Sequence, residues 1–134
     1  MGFLYSFVRA LMLFESETFS PDAKPFPDWL NETYHYCNFE RFSDLTDPVE
    51  GSYLGCEFVG CGWYWALFNC TVLVRVKFEN CQFDGCSFSS CTFVECEFVG
   101  CKFGNDSFGK GCSFDETRWY GCTQSNCTGL EGVF

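Results

Sequence analysis

Twelve cysteines and a single histidine are the residues of this chain best suited to chemistry. A thiolate can hold a metal or attack an electrophile, and an imidazole beside it is a common activator. Their spacing points elsewhere. Structural zinc sites draw on isolated, closely spaced cysteine pairs, whereas these cysteines recur as Cys-x4-Cys in tandem, at Cys81, Cys86, Cys91, Cys96 and Cys101. Cys56 and Cys61 fall in the same series, and Ala66, Thr71 and Val76 fill the slots between. A slot that takes Ala, Thr, Val or Cys asks for a small, mostly apolar volume, and free cysteine behaves as a small hydrophobe. His35 lies near no nucleophile motif. The glycines recur with the repeat and form no phosphate-binding loop. The residues therefore predict no enzyme, no metal and no cofactor.

The elements that position these cysteines repeat every five residues. The stretch CQFDGCSFSSCTFVECEFVGCKF, residues 81–103, is Cys-x-Phe in unbroken tandem. From Tyr53 to Phe108, each fifth position carries Tyr, Phe, Trp or Leu, and the position two before it is small or medium. A period of five is neither the 3.6 of a helix nor the 2 of a plain strand. Two residues apart in extended backbone, the small and large side chains point the same way. The positions after them are often Gly, Asn, Asp or Ser, turn formers that reset the alternation so that the next pair faces the same interior. Each unit is thus one short side of a coil lined with Phe and Cys.

With these residues the chain resembles the pentapeptide-repeat family, in a Cys-x-Phe variant of the commoner motif; Ser43-Asp44-Leu45 is nearer the common form. The resemblance implies an all-β fold, a right-handed quadrilateral β-helix with four pentapeptides per turn. It covers residues 37–134 and implies four to five turns. Residues 1–36 are left as an N-terminal capping segment. Turns spaced like strands in a sheet make a rod about 20 Å long from Gly51 on. Near Gly111 a one-residue insertion shifts the frame, after which Phe114 and Trp119 occupy the large slot. Phe134 falls back into register and is placed to plug the end. Nothing else extends past the register, so that end is expected to be bare or to pair with a second copy. All four prolines precede residue 51, as a coil that needs its N–H groups for ladders requires.

Charge narrows the partners. The chain of 134 residues has 18 acidic and 8 basic side chains, a net of −10, which repels nucleic acid and anionic membranes and suits a basic protein. The apolar start, MGFLYSFVRALMLF, has no basic leader region and is too short to span a membrane, so the sequence predicts a cytoplasmic protein with reduced thiols. Two sets of outward residues are candidates for partner binding. Glu57, Glu79, Asp84 and Glu97 supply carboxylates on two adjacent faces. Leu54, Val72, Val74 and Val94 form an apolar patch, for which the strip Phe3, Leu4, Phe7, Val8, Leu11, Leu13 and Phe14 is a matching cover.

Among members of the family it resembles, some mimic duplex DNA and act on type II topoisomerases. Others are immunity proteins that neutralise toxins. Residues 51–134 hold 9 acidic and 5 basic groups, too few carboxylates for a long acidic stripe. The resemblance therefore implies a non-catalytic inhibitor, an immunity protein binding a toxin such as a nuclease. Action on gyrase or topoisomerase IV, and a structural scaffold, are the alternatives.

Overall fold

The structure is a computed structural model that describes residues 13–30 and 32–134. Eighteen strands of two to four residues, β1 to β18 in chain order, account for its regular structure; no helix occurs among the described residues. They stack in parallel as the four faces of a β-solenoid of about five turns.

Face one carries β1 (Leu13–Glu15), β3 (Glu32–His35), β5 (Gly51–Leu54), β9 (Val72–Val74), β13 (Thr92–Val94) and β17 (Arg118–Tyr120). Face two carries β2 (Thr18–Phe19), β4 (Asn38–Glu40), β6 (Glu57–Val59), β10 (Lys77–Glu79), β14 (Glu97–Val99) and β18 (Thr123–Ser125). Face three has β7 (Gly62–Tyr64), β11 (Gln82–Asp84) and β15 (Lys102–Gly104). Face four has β8 (Leu67–Asn69), β12 (Ser87–Ser89) and β16 (Ser113–Asp115). Single bridges from Leu45 to Trp63 and from Val49 to Phe68 extend the last two faces by a turn.

The corners explain the pentad. One residue in five turns into left-handed backbone, as at Arg75, Asn80, Gly85, Ser90 and Glu95, with φ between 51° and 60°. That conformation costs a non-glycine residue about 1 kcal/mol. The ladder offsets it, because each corner N–H reaches a carbonyl of the next turn: Arg75 N to Val94 O at 2.8 Å, Asn80 N to Val99 O at 2.8 Å.

Inside, the large residues stack face to face along the axis. Phe58, Phe78 and Phe98 form one column with centroids 5.0 and 4.9 Å apart. Trp63, Phe83 and Phe103 form the next, at 4.7 and 4.4 Å, and Phe68, Phe88 and Phe114 the third, at 4.5 and 5.1 Å. Face one runs Phe14, Tyr34, Tyr53, Leu73, Phe93 and Trp119. The small slot does more than leave room. Its S–H or O–H donates to the carbonyl of a large residue one turn back, as Cys81 Sγ to Phe58 O at 3.3 Å, Cys101 Sγ to Phe78 O at 3.3 Å and Thr117 Oγ1 to Phe88 O at 3.0 Å. Every cysteine among the described residues is a free thiol. Burial pushes the Cys56 thiol up to about 11 and Cys96 up to about 12. Neighbouring thiols first, and then burial, drive Cys81 higher still. These sulfurs stay protonated.

Four expectations from the sequence change. The coil begins before residue 37, since β1 and β3 stack on face one and β2 on face two. Residues 20–30 then cross the N-terminal end, where Trp29 is buried against Phe39 and Phe42. Of the strip expected to cover the outer patch, Phe3, Leu4, Phe7, Val8 and Leu11 lie outside the described residues; Phe14 instead continues the inner column, stacked on Tyr34 at 5.1 Å. The insertion near Gly111 is six residues long. Phe68 pairs with Phe88, but Phe88 pairs with Phe114, and six is the same frame shift as one in a period of five. Phe108 therefore leaves the core and is 80% exposed. Finally, the C-terminal end is only partly bare. Leu130 is fully buried and Phe134 stacks on Trp119 at 4.8 Å, while β16, β17 and β18 each stand last in their sheets.

Phe88→Ala should destabilise the chain by about 3–5 kcal/mol in a denaturant titration, because it removes the middle ring of a column. Cys86→Ala should cost about 1 kcal/mol, the scale of one hydrogen bond, since Ala66 fills the same slot one turn back. Equal losses would refute the stacking account. Alkylation of the native protein should modify the exposed Cys70 first, with the buried thiols reacting only after unfolding; fast labelling of Cys81 or Cys96 would contradict their place in the ladder.

Candidate functional site

The solenoid leaves its outward positions and corners as the surface on which function can act. On face one, Leu54, Val74 and Val94 stand in register on successive turns, each half-buried, with Tyr120 continuing the column. Val72 stands beside them between Ser52 and Thr92 and is 41% exposed. The apolar patch is thus real and contiguous. On face two, Glu57, Lys77 and Glu97 alternate in one column, and Glu79 lies between Val59 and Val99 in the other. Lys77 Nζ sits 4.0 Å from Glu79 Oε2. Arg118 does not continue this column, although a one-residue frame shift would place it there. The six-residue excursion moves it to face one opposite Thr92, and Thr123 stands under Glu97. Asp84 is on face three, where Gln82 Nε2 donates to its Oδ2 at 2.9 Å. The candidate carboxylates therefore occupy adjacent faces but form no single cluster. The described residues hold no grouping of three or more His, Cys, Asp or Glu suited to a metal ion.

A further surface escaped the sequence reading. Residues 105–110 leave the corner after β15 and fold back over β7. Asp106 organises them: its Oδ1 accepts from the N–H groups of Phe108 and Lys110, both at 2.8 Å, and its Oδ2 accepts from the Trp65 indole at 2.8 Å. Ser107 N donates to Tyr64 Oη at 3.0 Å, and the two hydroxyls lie 2.7 Å apart. Phe108 then stacks on Trp65 with centroids 5.8 Å apart and planes 18° apart. Gly85 makes this possible. It is the corner between Trp65 and Asp106, its φ is +60°, and a Cβ there would come within 2.7 Å of Asp106 Cβ. Beside Tyr64 runs a groove of about 240 Å³ bordered by Asp44, Gln82 and Asp84 and floored by Gly62. The signal for this loop was present in Gly104-Asn105-Asp106-Ser107 and in Gly109 and Gly111, a density of turn formers unmatched elsewhere in the coil. The five-residue count, which assigned Phe108 to the core, hid it.

The Lys110 N–H, with the Trp65 indole and the Phe108 N–H behind it, holds the Asp106 carboxyl below the ordinary carboxylate range. A lowered folded pKa means that the docked loop is favoured above the unfolded carboxylate pKa. It is lost as pH falls through the lowered value. The Trp65 indole N–H resonance should therefore keep its docked position from neutral pH down through the ordinary carboxylate range and shift only below it. Asp106→Ala should produce the undocked shift at pH 7 and abolish the acid transition. A transition that persists in that variant would assign it to another group.

No curated protein matches the chain. Among solved structures, the fold resembles a pentapeptide repeat protein, Rfr23, from the cyanobacterium Cyanothece 51142, at 10% identity and a TM-score of 0.48, over 92% of this chain and 95% of that one. It also resembles a trypsin-treated form of QnrB1, a plasmid-mediated fluoroquinolone resistance protein, at 16% identity and a TM-score of 0.43, over 87% of this chain. The chain spans about half of QnrB1, 53% of its length. The family described as pentapeptide repeats matches eight copies over residues 66–105, the part of the coil where corners, ring columns and thiol bonds are most regular. Turns on either side share its register and stacking, so the stretch that matches pentapeptide repeats lies within one continuous coil.

Proposed function

We propose that this protein is a non-catalytic inhibitor that binds another protein, and that it serves as an immunity protein against a toxin with a basic site. The observation that carries the reading is the division of labour in the coil. Its interior is filled by rings and free thiols, and most of its charged groups face outward on flat ladders spaced by the sheet, a rigid surface of the kind that binds with little ordering cost. The net charge of −10 favours a basic partner. Glu57, Glu79, Asp84 and Glu97 are the carboxylates that such a partner would meet, and Leu54, Val72, Val74 and Val94 offer an adjoining apolar contact.

Action on gyrase or topoisomerase IV as a mimic of DNA is the second reading. It asks for like charge along the rod, and Lys77 between Glu57 and Glu97 disfavours it.

Affinity capture from the native host, with the bound protein identified by mass spectrometry, tests the reading. One tight basic partner is expected; several weak unrelated ones would favour a scaffold. Reversing Glu57, Glu79, Asp84 and Glu97 together to Lys should leave folding within about 0.5 kcal/mol per site. It should slow association with that partner and flatten its salt dependence. Unchanged binding by the folded variant would move the interface elsewhere.

A further inference from the structure

The interior does not need Phe108. Its slot in the ring column is taken by Phe114, which stacks on Phe88, yet the chain spends six extra residues and a set of hydrogen bonds to present Phe108 on the outside. At 80% exposure it is the most exposed large apolar side chain among the described residues, and Trp65 beneath it is 52% exposed. Both rings are held in place. Trp65 is tied by its indole to Asp106, and the backbone N–H groups of Phe108 and Lys110 are tied to the same carboxylate. An exposed aromatic pair on a pinned loop has lost its conformational freedom before any partner arrives, the property of aromatic anchors in interfaces.

We propose that the Trp65–Phe108 ledge, with Tyr64 and the adjoining groove, is a binding surface for an arginine side chain of a protein partner. The inference rests on the protein-binding reading above and names the group that is recognised. Charge selects a cation. Asp84 pairs in register with Tyr64, and Asp44 borders the same groove; among the described residues neither forms an ion pair. Asp106 lies under the ledge. The nearby cations are Lys102, beside Gln82 on the next strand, and Lys110 at the base of the loop. Geometry selects arginine over lysine. A planar guanidinium can lie on an aromatic face while its N–H edge meets a carboxylate, which a compact ammonium does less well.

A second copy of this chain fits poorly, because a two-fold contact through the ledge would bring Asp44, Asp84 and Asp106 against their own counterparts. Nucleic acid is disfavoured by the same charge.

The test uses the full chain and the peptide Gly-Arg-Gly-Arg-Gly as probe, with Lys and Glu versions as controls, read by amide and indole NMR shifts. Saturable shifts should centre on Tyr64, the Trp65 indole and Phe108. The Lys peptide should bind more weakly and the Glu peptide not at all. Phe108→Ala should weaken the Arg peptide about threefold to fivefold, the scale of one cation–π contact, with an unchanged melting temperature because the side chain is exposed. Asp84→Asn should weaken it similarly. Three results would overturn the proposal: no saturable shift, shifts centred on Glu57, Glu79 and Glu97, or a dimer of the wild-type chain that Phe108→Ala abolishes, which would make a second copy the occupant. The two readings fail separately. A captured toxin that binds the Phe108→Ala variant undiminished removes the ledge and keeps the inhibitor. Arginine binding at the ledge without any toxin partner keeps the ledge and removes the immunity role.

Discussion

The hydrogen-bonded ladder between successive turns holds every inward residue directly above its counterpart one turn away. Phe58, Phe78 and Phe98 pair in register on β6, β10 and β14, and ladder spacing of about 4.8 Å then dictates what can fill the interior. Flat rings suit that spacing well. They stack at 4.4 to 5.1 Å with nearly parallel planes in the regular columns. A bulky residue in every slot would overfill the corners, so the position two before must be small. Cysteine meets that need and adds a weak donor to a carbonyl inside the coil. Composition, stacking and hydrogen bonding are consequences of the one ladder.

The same ladder confines variation to corners and ends. A residue added within a strand would flip the following side chains from inside to outside, whereas residues added at a corner leave the next strand free to resume its column. Residues 105–110 show this: β15 ends, the chain leaves, and β16 returns with Phe114 on Phe88. Because the excursion starts from a column already fixed by Tyr64, Trp65 and Gly85, its contacts fall on well-placed partners. A loop that would otherwise be mobile becomes a defined surface.

The ends obey a related constraint. A solenoid's last rungs present unpaired backbone and open ring faces. At the start, Tyr34 Oη bonds the backbone of Asp28 at 2.7 and 3.0 Å while Trp29 packs on the rings. At the finish, Thr128 still bonds Cys101 and Phe103 before Leu130 and Phe134 close the core. Among the described residues, both regions place aromatic or aliphatic side chains over the rings.

The sequence by itself determined the coil. A period of five with small and large inward slots makes each unit one short side of a coil, so the inward residues from Tyr53 to Phe103 and the outward placement of Glu57, Glu79, Asp84 and Glu97 were legible without coordinates, while the four-sided closure was implied by the resemblance to pentapeptide repeats. Phe14 and Phe19, twenty residues ahead of Tyr34 and Phe39, carried the earlier start of the coil, but no cysteine marks their small slots. What the tertiary structure alone decided is how departures from the period resolve. A frame shift is known from sequence only modulo five, so one residue and six look alike, and only stacking shows that Phe114, not Phe108, completes the column. Bonds such as Trp65 to Asp106 join residues forty-one apart, across two turns and a corner. Local pattern carries no trace of such a contact, because it depends on what the ladder places side by side.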